Sequence, residues 1–230
     1  MSESSAVDKK YYEVAGPGSI GERLVTAARD RMYADFLRIM APAPNARMLD
    51  VGVSDVVGDG ANMLERLYPY PDHITAAGLG EGNDFRVAFP ATPYIQIKPK
   101  IALPFQDGQF DIACSNAVLE HVGSQKDQRT FILELSRVAH RVFLTVPHRY
   151  FPVEHHTAIP LLHFTDPTFR LACKVTGKAS WAMEKNLILM TRSLLASLCP
   201  PGVPRRIGTT GLPLGPFSSN LFLALHPVAN

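Results

Sequence analysis

Four of the eight histidines in this 230-residue chain fall within a stretch of sixteen residues, at His148, His155, His156 and His163. Imidazole titrates near neutral pH and is the commonest metal ligand, so such a group can act as a general base or bind a metal ion. The histidines can equally hydrogen-bond the backbone of their own segment. Among these interpretations we predict His156, within the block 154–157, as a general base. His121 is the second candidate, and we predict no metal site.

His121 follows an acidic residue, Glu120, and precedes a stretch with helical periodicity. Both side chains could therefore cap that helix instead of taking part in catalysis. The sequence leaves the two roles open.

The tripeptide Asp50-Val51-Gly52 lies within a short apolar run over 48–53. An acidic residue near the end of a buried strand is unusual in a core. A glycine beside it lets the backbone approach a ligand closely, and the next helix would point its positive end at that ligand. In open parallel sheets, ligands bind beyond the carboxyl ends of the strands. On its own, the tripeptide is equally typical of a tight turn.

The elements that would position these residues alternate along the chain. Apolar spacing predicts helices over 22–40, 61–67, 125–139 and 191–198. It predicts strands over 48–53, 73–79, 94–97, 109–115 and 141–146, with an antiparallel hairpin from 203–207 and 219–225. This alternation indicates an α/β fold that is Rossmann-like and doubly wound, with a mostly parallel sheet.

The predicted organisation is a flexible N-terminal arm over 1–21 and one domain over 22–230. The stretch 148–185 is rich in histidine, proline and aromatic residues, and we predict a substrate-side insertion there. The sequence does not discriminate a monomer from a homo-oligomer.

The composition narrows the function classes. Hydrophobic residues make up 46% of the chain and charged residues 19%, as in ordinary globular proteins. The net charge of +2 gives no indication of nucleic-acid binding. Three widely spaced cysteines predict reduced thiols, and the first ten residues lack the apolar core of a signal peptide. We therefore expect a cytoplasmic protein without a membrane span.

The run Leu103-Pro-Phe-Gln-Asp-Gly-Gln-Phe-Asp111, followed by Leu119-Glu-His-Val122, carries a family resemblance. It resembles the "LPF-x-DG-x-FD … LEHV" block of the small-molecule class I S-adenosylmethionine-dependent methyltransferases, the type 11 group. The resemblance spans roughly residues 30–165 and is supported by 151–157 and 160–163. It implies a seven-stranded sheet with a reversed C-terminal hairpin, and S-adenosylmethionine as the cofactor.

Carried over by position, the resemblance implies that Asp50 and Gly52 border the methionine part of the cofactor. It implies that Ser115 and Asn116, after the fourth strand, lie beside the transferred methyl group. Ser54 stands where the family has a second glycine, so it is also expected to border the cofactor.

Two positions depart from the family pattern. In the family, an acidic residue at the end of the second strand holds the ribose hydroxyls. This chain has Gly78 at that position, and the nearest substitute is Glu81. The turn after the third strand, 98–100, has lysine and proline where the family tends to have an acid. The leading prediction is methyl transfer to a small-molecule, sugar or secondary-metabolite acceptor. The alternative is a non-catalytic scaffold or partner protein with a degenerate cofactor site.

Overall fold

A computed structural model describes residues 20–55, 62–99 and 102–226. The predicted arm over 1–21 therefore lies almost wholly outside the described residues. So do the loop around Gly58-Asp59-Gly60 and Lys100.

The described residues form one seven-stranded sheet in the order β3-β2-β1-β4-β5-β7-β6. The first five strands pair in parallel, and β7 pairs antiparallel with both β5 and β6. This confirms the predicted Rossmann-like sheet with its C-terminal hairpin. The strands are β1 Met48–Val51, β2 Ile74–Gly78, β3 Tyr94–Gln96, β4 Phe110–Asn116, β5 Ala139–Pro147, β6 Arg205–Leu214 and β7 Phe217–Leu225.

Apolar side chains cover both faces of the central strands, which is typical of parallel sheets. In β1, Leu49 and Val51 join the core that includes Ile132 and Leu135, while Met48 packs on the opposite face with Phe36. The helices are α1 Ile20–Met40, α2 Met63–Leu67, α3 Asn83–Ala88, α4 Gln125–Val138, α5 Asp166–Val175 and α6 Arg192–Leu198. No helix among the described residues is long and apolar enough to cross a membrane.

Two elements differ from the sequence prediction. Helix α3 was not predicted, because it has only six residues and buries a single side chain, Phe85. Strand β6 is twice as long as the predicted 203–207 segment. Its Gly208 and Pro213 are turn formers in sequence terms, but a register shift between Thr210 and Pro213 accommodates the proline as a β-bulge.

The stretch after β5 packs around a small apolar cluster of its own. Helix α5 contributes Phe169 and Cys173, and Trp181 and Leu187 complete the cluster. An isolated bridge between His148 and Met190 joins the beginning of this stretch to its end. The segment therefore folds back over the carboxyl ends of β4 and β5. Its role as a substrate-side insertion stays a prediction.

Candidate active site

The loop after β1 turns sharply at Gly52, where φ is +96°. Its amide donates to the carbonyl of Ala77 at 2.7 Å, which ties the turn to β2. A Cβ at Gly52 would lie 2.3 Å from Val118 Cγ2. Only glycine is compatible with both the conformation and this close neighbour.

Asp50 is buried in β1 with its side chain on the face of the sheet covered by α1 and α2. Burial raises its pKa to about 6, although the positive charge of Arg29 opposes the shift. Glu65, from α2, is also buried, and neither of its carboxylate oxygens has a hydrogen-bond partner. Burial and the charge of Asp50 raise the pKa of Glu65 well above its usual value. Asp50, Glu65 and Arg29 thus form an unusual charged group beneath the β1 loop.

The other predicted cofactor residues at this edge are held by the protein itself. Ser115 Oγ donates to the carbonyl of Val51 at 2.8 Å, so it bridges β4 to β1. The side-chain oxygen of Asn116 accepts a hydrogen bond from Thr145 Oγ1. The backbone of Ser54 exchanges two hydrogen bonds with the side chain of Asn62, at 2.9 and 2.8 Å.

The place where the family has a ribose-binding acid is filled by Tyr94. A Cβ at Gly78 would lie 2.5 Å from the Tyr94 hydroxyl oxygen and 2.8 Å from the Val53 carbonyl oxygen. The same hydroxyl donates to the carbonyl of Gly80 at 2.8 Å. Glu81, the predicted substitute, is exposed and accepts a hydrogen bond from Asn83 at 3.0 Å.

Asp55 is a residue of this region that the sequence prediction missed. Its carboxylate accepts from the amides of Gly82 (2.8 Å) and Phe85 (3.2 Å), at the beginning of α3. An acid at a helix N-terminus is stabilising. The available signal was an acidic residue three positions after Gly52, followed much later by a short polar stretch. Without knowledge of α3, that signal could not be interpreted.

His156 is buried and has a partner at each ring nitrogen. Its Nδ1 lies 2.7 Å from Glu154 Oε1, and its Nε2 lies 3.1 Å from His121 Nε2. Burial would lower the pKa of His156, but the hydrogen bond and charge of Glu154 raise it. Burial would raise the pKa of Glu154, but hydrogen bonds from His156 and Thr157 lower it to about 2. His156 and Glu154 therefore form a buried charged pair.

His121 lies in the short 3₁₀ turn Leu119–His121, directly after β4. Its Nδ1 lies 2.8 Å from the carbonyl oxygen of Asn186. Burial and the nearby positive charge of His156 lower the pKa of His121 to about 3. The indole of Trp181 packs on both imidazoles, with ring centroids 6.2 Å from His121 and 5.1 Å from His156. The two histidines predicted from sequence are thus brought together by the fold.

Glu120 adds a carboxylate to the histidine pair. It is 1% exposed, and neither of its oxygens has a hydrogen-bond partner. Burial raises its pKa to about 7, against the opposing charge of His156. Glu120 does not cap the following helix, because Ser124 and Asp127 form the capping box of α4. His121 does not cap it either, since its ring nitrogens face Asn186 and His156.

The remaining histidines of the cluster mostly support the backbone. His163 Nε2 donates to the carbonyl of Phe151 at 2.7 Å, and His148 Nδ1 lies 3.3 Å from the carbonyl of Ser218. His155 packs its ring against Phe151. Together with Glu120, Glu154, His156 and the stretch 187–190, these histidines line a narrow cleft with an internal volume of about 10 Å³.

Comparisons with known proteins agree with this architecture. A profile of the family described as "Methyltransferase domain" matches residues 80–141. No curated protein sequence matches the chain. The family match covers 62 of the 230 residues, and the described residues have the Rossmann-like fold of S-adenosylmethionine-dependent methyltransferases.

Solved structures show the same fold at low sequence identity. A protein from Pyrococcus horikoshii OT3 has a TM-score of 0.60 at 11% identity, covering 99% of each chain. A SAM-dependent methyltransferase from Aquifex aeolicus has a TM-score of 0.54 at 12% identity, covering 100% of each chain. Magnesium protoporphyrin IX methyltransferase from Synechocystis PCC 6803, with bound SAH, has a TM-score of 0.55 at 14% identity, covering 96% of this chain and 94% of that chain.

At one end of the expected site, the described residues are compatible with S-adenosylmethionine. Asp50 and Glu65 supply carboxyl groups and Arg29 a guanidinium, which can pair with the ammonium and carboxylate of an amino-acid moiety. The oxygens of Glu65 have no hydrogen-bond partner, so they can accept from an ammonium, whose charge would favour the ionised carboxylate. At the ribose end the family's acid is absent, and Tyr94 fills its place. The ribose is therefore not held as the family pattern predicts.

Proposed function

We propose that this protein transfers a methyl group from S-adenosylmethionine to a hydroxyl, amine or carbon of a small molecule. The observation that carries the proposal is the position of the Glu120, His121 and His156 side chains. They follow β4 and β5 at the carboxyl edge of the sheet, next to the loop that contains Gly52. In doubly wound folds this edge is where ligands bind.

On the cofactor side, we propose that Asp50, Glu65 and Arg29 bind the methionine moiety of S-adenosylmethionine. Gly52, Ser54, Ser115 and Asn116 are proposed to border it, as the family resemblance implies, and Glu81 is the proposed substitute at the ribose. When bound, S-adenosylmethionine supplies an electrophilic methyl group on a sulfonium sulfur. The contribution of these residues is to hold that group in line with the acceptor in a site with little water.

On the acceptor side, the proposal uses the cleft behind Glu120. This cleft has room for about one water molecule, roughly 10 Å³, so an acceptor would enter it only after the cleft widens. The choice of a small molecule as the acceptor follows the family resemblance. The two unpartnered oxygens of Glu120 can accept hydrogen bonds from an acceptor hydroxyl or amine. The role of His156 as a general base, with His121 second, stays a prediction. Both ring nitrogens of His156 already have hydrogen-bond partners. His156 could therefore take a proton from the acceptor only after one of these contacts breaks.

Calorimetric titration of the full chain with S-adenosylhomocysteine tests the cofactor side. We expect saturable one-to-one binding, and we expect Arg29→Gln to weaken it at least about tenfold, because a charge-assisted contact is lost. Arg38→Gln is the matched control, since Arg38 lies on the same helix but is exposed and pairs with Asp35. This control variant should bind S-adenosylhomocysteine with the same affinity as the wild type.

Absence of binding at millimolar S-adenosylhomocysteine, in protein with a native circular dichroism spectrum, would refute the proposal. It would favour the non-catalytic scaffold, whose supporting observation is Tyr94 in the place of the ribose acid. Binding that is equal in wild type and Arg29→Gln would retain the cofactor and reject the assignment of Arg29.

A further inference from the structure

The hydrogen-bond partners of the His121 and His156 imidazoles indicate which of their ring nitrogens carry protons. Nδ1 of His121 faces the carbonyl oxygen of Asn186 at 2.8 Å, and Nδ1 of His156 faces the carboxylate of Glu154 at 2.7 Å. A carbonyl and a carboxylate can only accept, so each Nδ1 carries a proton. The two Nε2 atoms are then turned toward each other, 3.1 Å apart.

In the metal-free protein His156 is the charged partner of Glu154, so its Nε2–H lies between the two Nε2 atoms and donates to His121. A metal ion can take the place of that proton, because both Nε2 atoms then present lone pairs to the ion. Zinc bonds to histidine nitrogen at about 2.0–2.1 Å, so two nitrogens of a tetrahedral site lie about 3.3 Å apart. The observed separation of 3.1 Å between His121 Nε2 and His156 Nε2 is close to that value.

The surroundings of the pair match those of metal-binding histidines. Such histidines donate their second ring N–H to a carboxylate or a backbone carbonyl, which orients the ring. Glu154 and the Asn186 carbonyl do this for His156 and His121. Glu154 is itself fixed by the amides of His156 and Thr157 and by the Thr157 hydroxyl, at 2.6–3.0 Å. The orientation of the Nε2 atoms is therefore determined by residues outside the pair.

Glu120 supplies the third independent observation. Its carboxylate is buried and without a hydrogen-bond partner, and the charges of His156 and Arg29 that act on it do not replace the missing hydrogen bonds. Its Oε1 lies 3.9 Å from His121 Nε2, and one ligand atom from each of Glu120, His121 and His156 lies within 4.8 Å of the others. A side-chain shift of roughly 0.5 Å would bring this oxygen to the roughly 3.3 Å separation from His121 Nε2 that a tetrahedral site has, and at most about 1.5 Å would be needed for His156.

We propose that Glu120, His121 and His156 bind one divalent transition-metal ion of the zinc type, through a carboxylate oxygen and the two Nε2 atoms. Two imidazoles among three ligands favour zinc-like ions over magnesium or calcium, which prefer oxygen. Three protein ligands leave a fourth coordination position, and the cleft lined by Glu120 and His156 gives access to it. This site replaces the sequence prediction that no metal is bound. It goes beyond the proposed function, because the ion would bind whether or not S-adenosylmethionine does.

Equilibrium dialysis of the full chain against Zn²⁺, after removal of metal with a chelator, tests the site. We expect one zinc per chain in the wild type and in His148→Gln, which removes a histidine of the same cleft that is not a ligand. In His121→Gln and Glu120→Gln the affinity should fall at least tenfold. In Glu154→Gln it should fall about 10–100-fold, the usual effect of removing an orienting carboxylate.

Folding of each variant is checked by circular dichroism and thermal melting in the absence of metal. Glu120→Gln keeps the test decisive if a histidine variant fails to fold, since it preserves side-chain size and removes an unpaired buried charge. Substitution with Co²⁺ gives a second readout, because visible absorption without a thiolate band indicates nitrogen and oxygen ligands. Zinc binding below one per chain, equal binding by wild type and Glu120→Gln, or a preference for Mg²⁺ would each overturn the proposal. None of these outcomes depends on the S-adenosylhomocysteine titration.

Discussion

Gly78 and Tyr94 show how one residue pair can change the use of a common fold. The fold places Gly78 at the end of β2, where an acid would normally hold a ribose. Tyr94 enters this space from β3, packs on Phe85, and lies beneath the guanidinium of Arg86 at 4.8 Å. The missing acid is therefore part of a packed arrangement and not an isolated loss.

We predict that Gly78→Asp lowers the free energy of unfolding by about 1–3 kcal/mol, because the new side chain would overlap the Tyr94 hydroxyl and the Val53 carbonyl. It should not improve binding of S-adenosylhomocysteine. Urea unfolding and calorimetry measure the two effects. Leu79→Asp places the same acid one residue later, at a 37% exposed position, and should be nearly neutral. Tighter cofactor binding by stable Gly78→Asp would contradict this interpretation.

Asp50 and Glu65 are a second residue-scale feature with a measurable consequence. Among the described residues, Arg29 from α1, Glu65 from α2 and Cys114 from β4 interact electrostatically with Asp50. Both carboxyl pKa values are raised in the folded protein, that of Asp50 from 3.8 to about 6. Folding therefore favours the protonated forms.

The stability contributed by these protonated carboxyls is complete below about pH 4 and is lost as the pH rises through 6 and beyond. Between pH 5 and 8 we predict that the wild type loses on the order of 1–3 kcal/mol more than Glu65→Gln. Urea unfolding at each pH measures this difference, in which other titrating groups cancel. Glu81→Gln, at an exposed position, should follow the wild type. A parallel pH dependence for wild type and Glu65→Gln would contradict the prediction.

At the scale of elements, the segment between β3 and β4 contains the "LPF-x-DG" pattern and is held in place by α4. Arg137, near the end of α4, donates to the carbonyls of Leu103 and Phe105 and to the side chain of Asp107. Glu134 accepts from the same guanidinium, and its other contact is the amide of Leu103. The loop is thus fixed to α4 before β4 begins.

Replacing Arg137 with lysine should cost about 1–2 kcal/mol of unfolding free energy, because an ammonium cannot reach these acceptors in the planar arrangement of a guanidinium. Arg129→Lys on the same helix is the control, since Arg129 makes a single hydrogen bond to the Ser197 carbonyl. Urea unfolding of both variants gives the comparison. Equal free energies of unfolding for the two variants would indicate that the hydrogen bonds of Arg137 contribute little to stability.

At the scale of the whole molecule, the apolar residues separate into large clusters on the sheet and a smaller one after β5. The smaller cluster contains Trp181, the only tryptophan of the chain. It also forms one wall of the histidine pair. The histidine pair therefore lies against the less extensive core, and small clusters tend to open locally before the global transition.

The fluorescence of Trp181 should therefore change at a lower urea concentration than a signal that follows the unfolding of the sheet. We predict that the urea midpoint measured by Trp181 fluorescence lies below the midpoint measured by far-ultraviolet circular dichroism. Zinc should raise the urea midpoint measured by fluorescence toward the midpoint measured by circular dichroism. The ion would link His121, after β4, to His156, which lies next to the smaller cluster. Coincident transitions without metal would show that the molecule unfolds as one unit.

Local patterns were sufficient for the sheet and for its edge. The apolar run around Leu49 and the alternation of strands and helices predicted the parallel sheet and its hairpin, because hydrophobic periodicity and turn formers act over short distances. The block at 103–111 added a resemblance to a family whose fold has the same sheet. The same reasoning located Gly52 and noticed the histidines after β5. It missed α3 and shortened β6, where tertiary contacts outweigh weak local preferences.

The chemistry at that edge depended on contacts between distant parts of the chain. Glu120 and His121 lie more than thirty residues before His156 in the sequence. They meet because β4 pairs with β5 and the following segment folds back over both strands. In the same way, no local pattern could show that Tyr94 fills the space beside Gly78. Which side chains face one another is determined by long-range packing, and the burial that leaves Glu120 without a partner arises only from that packing.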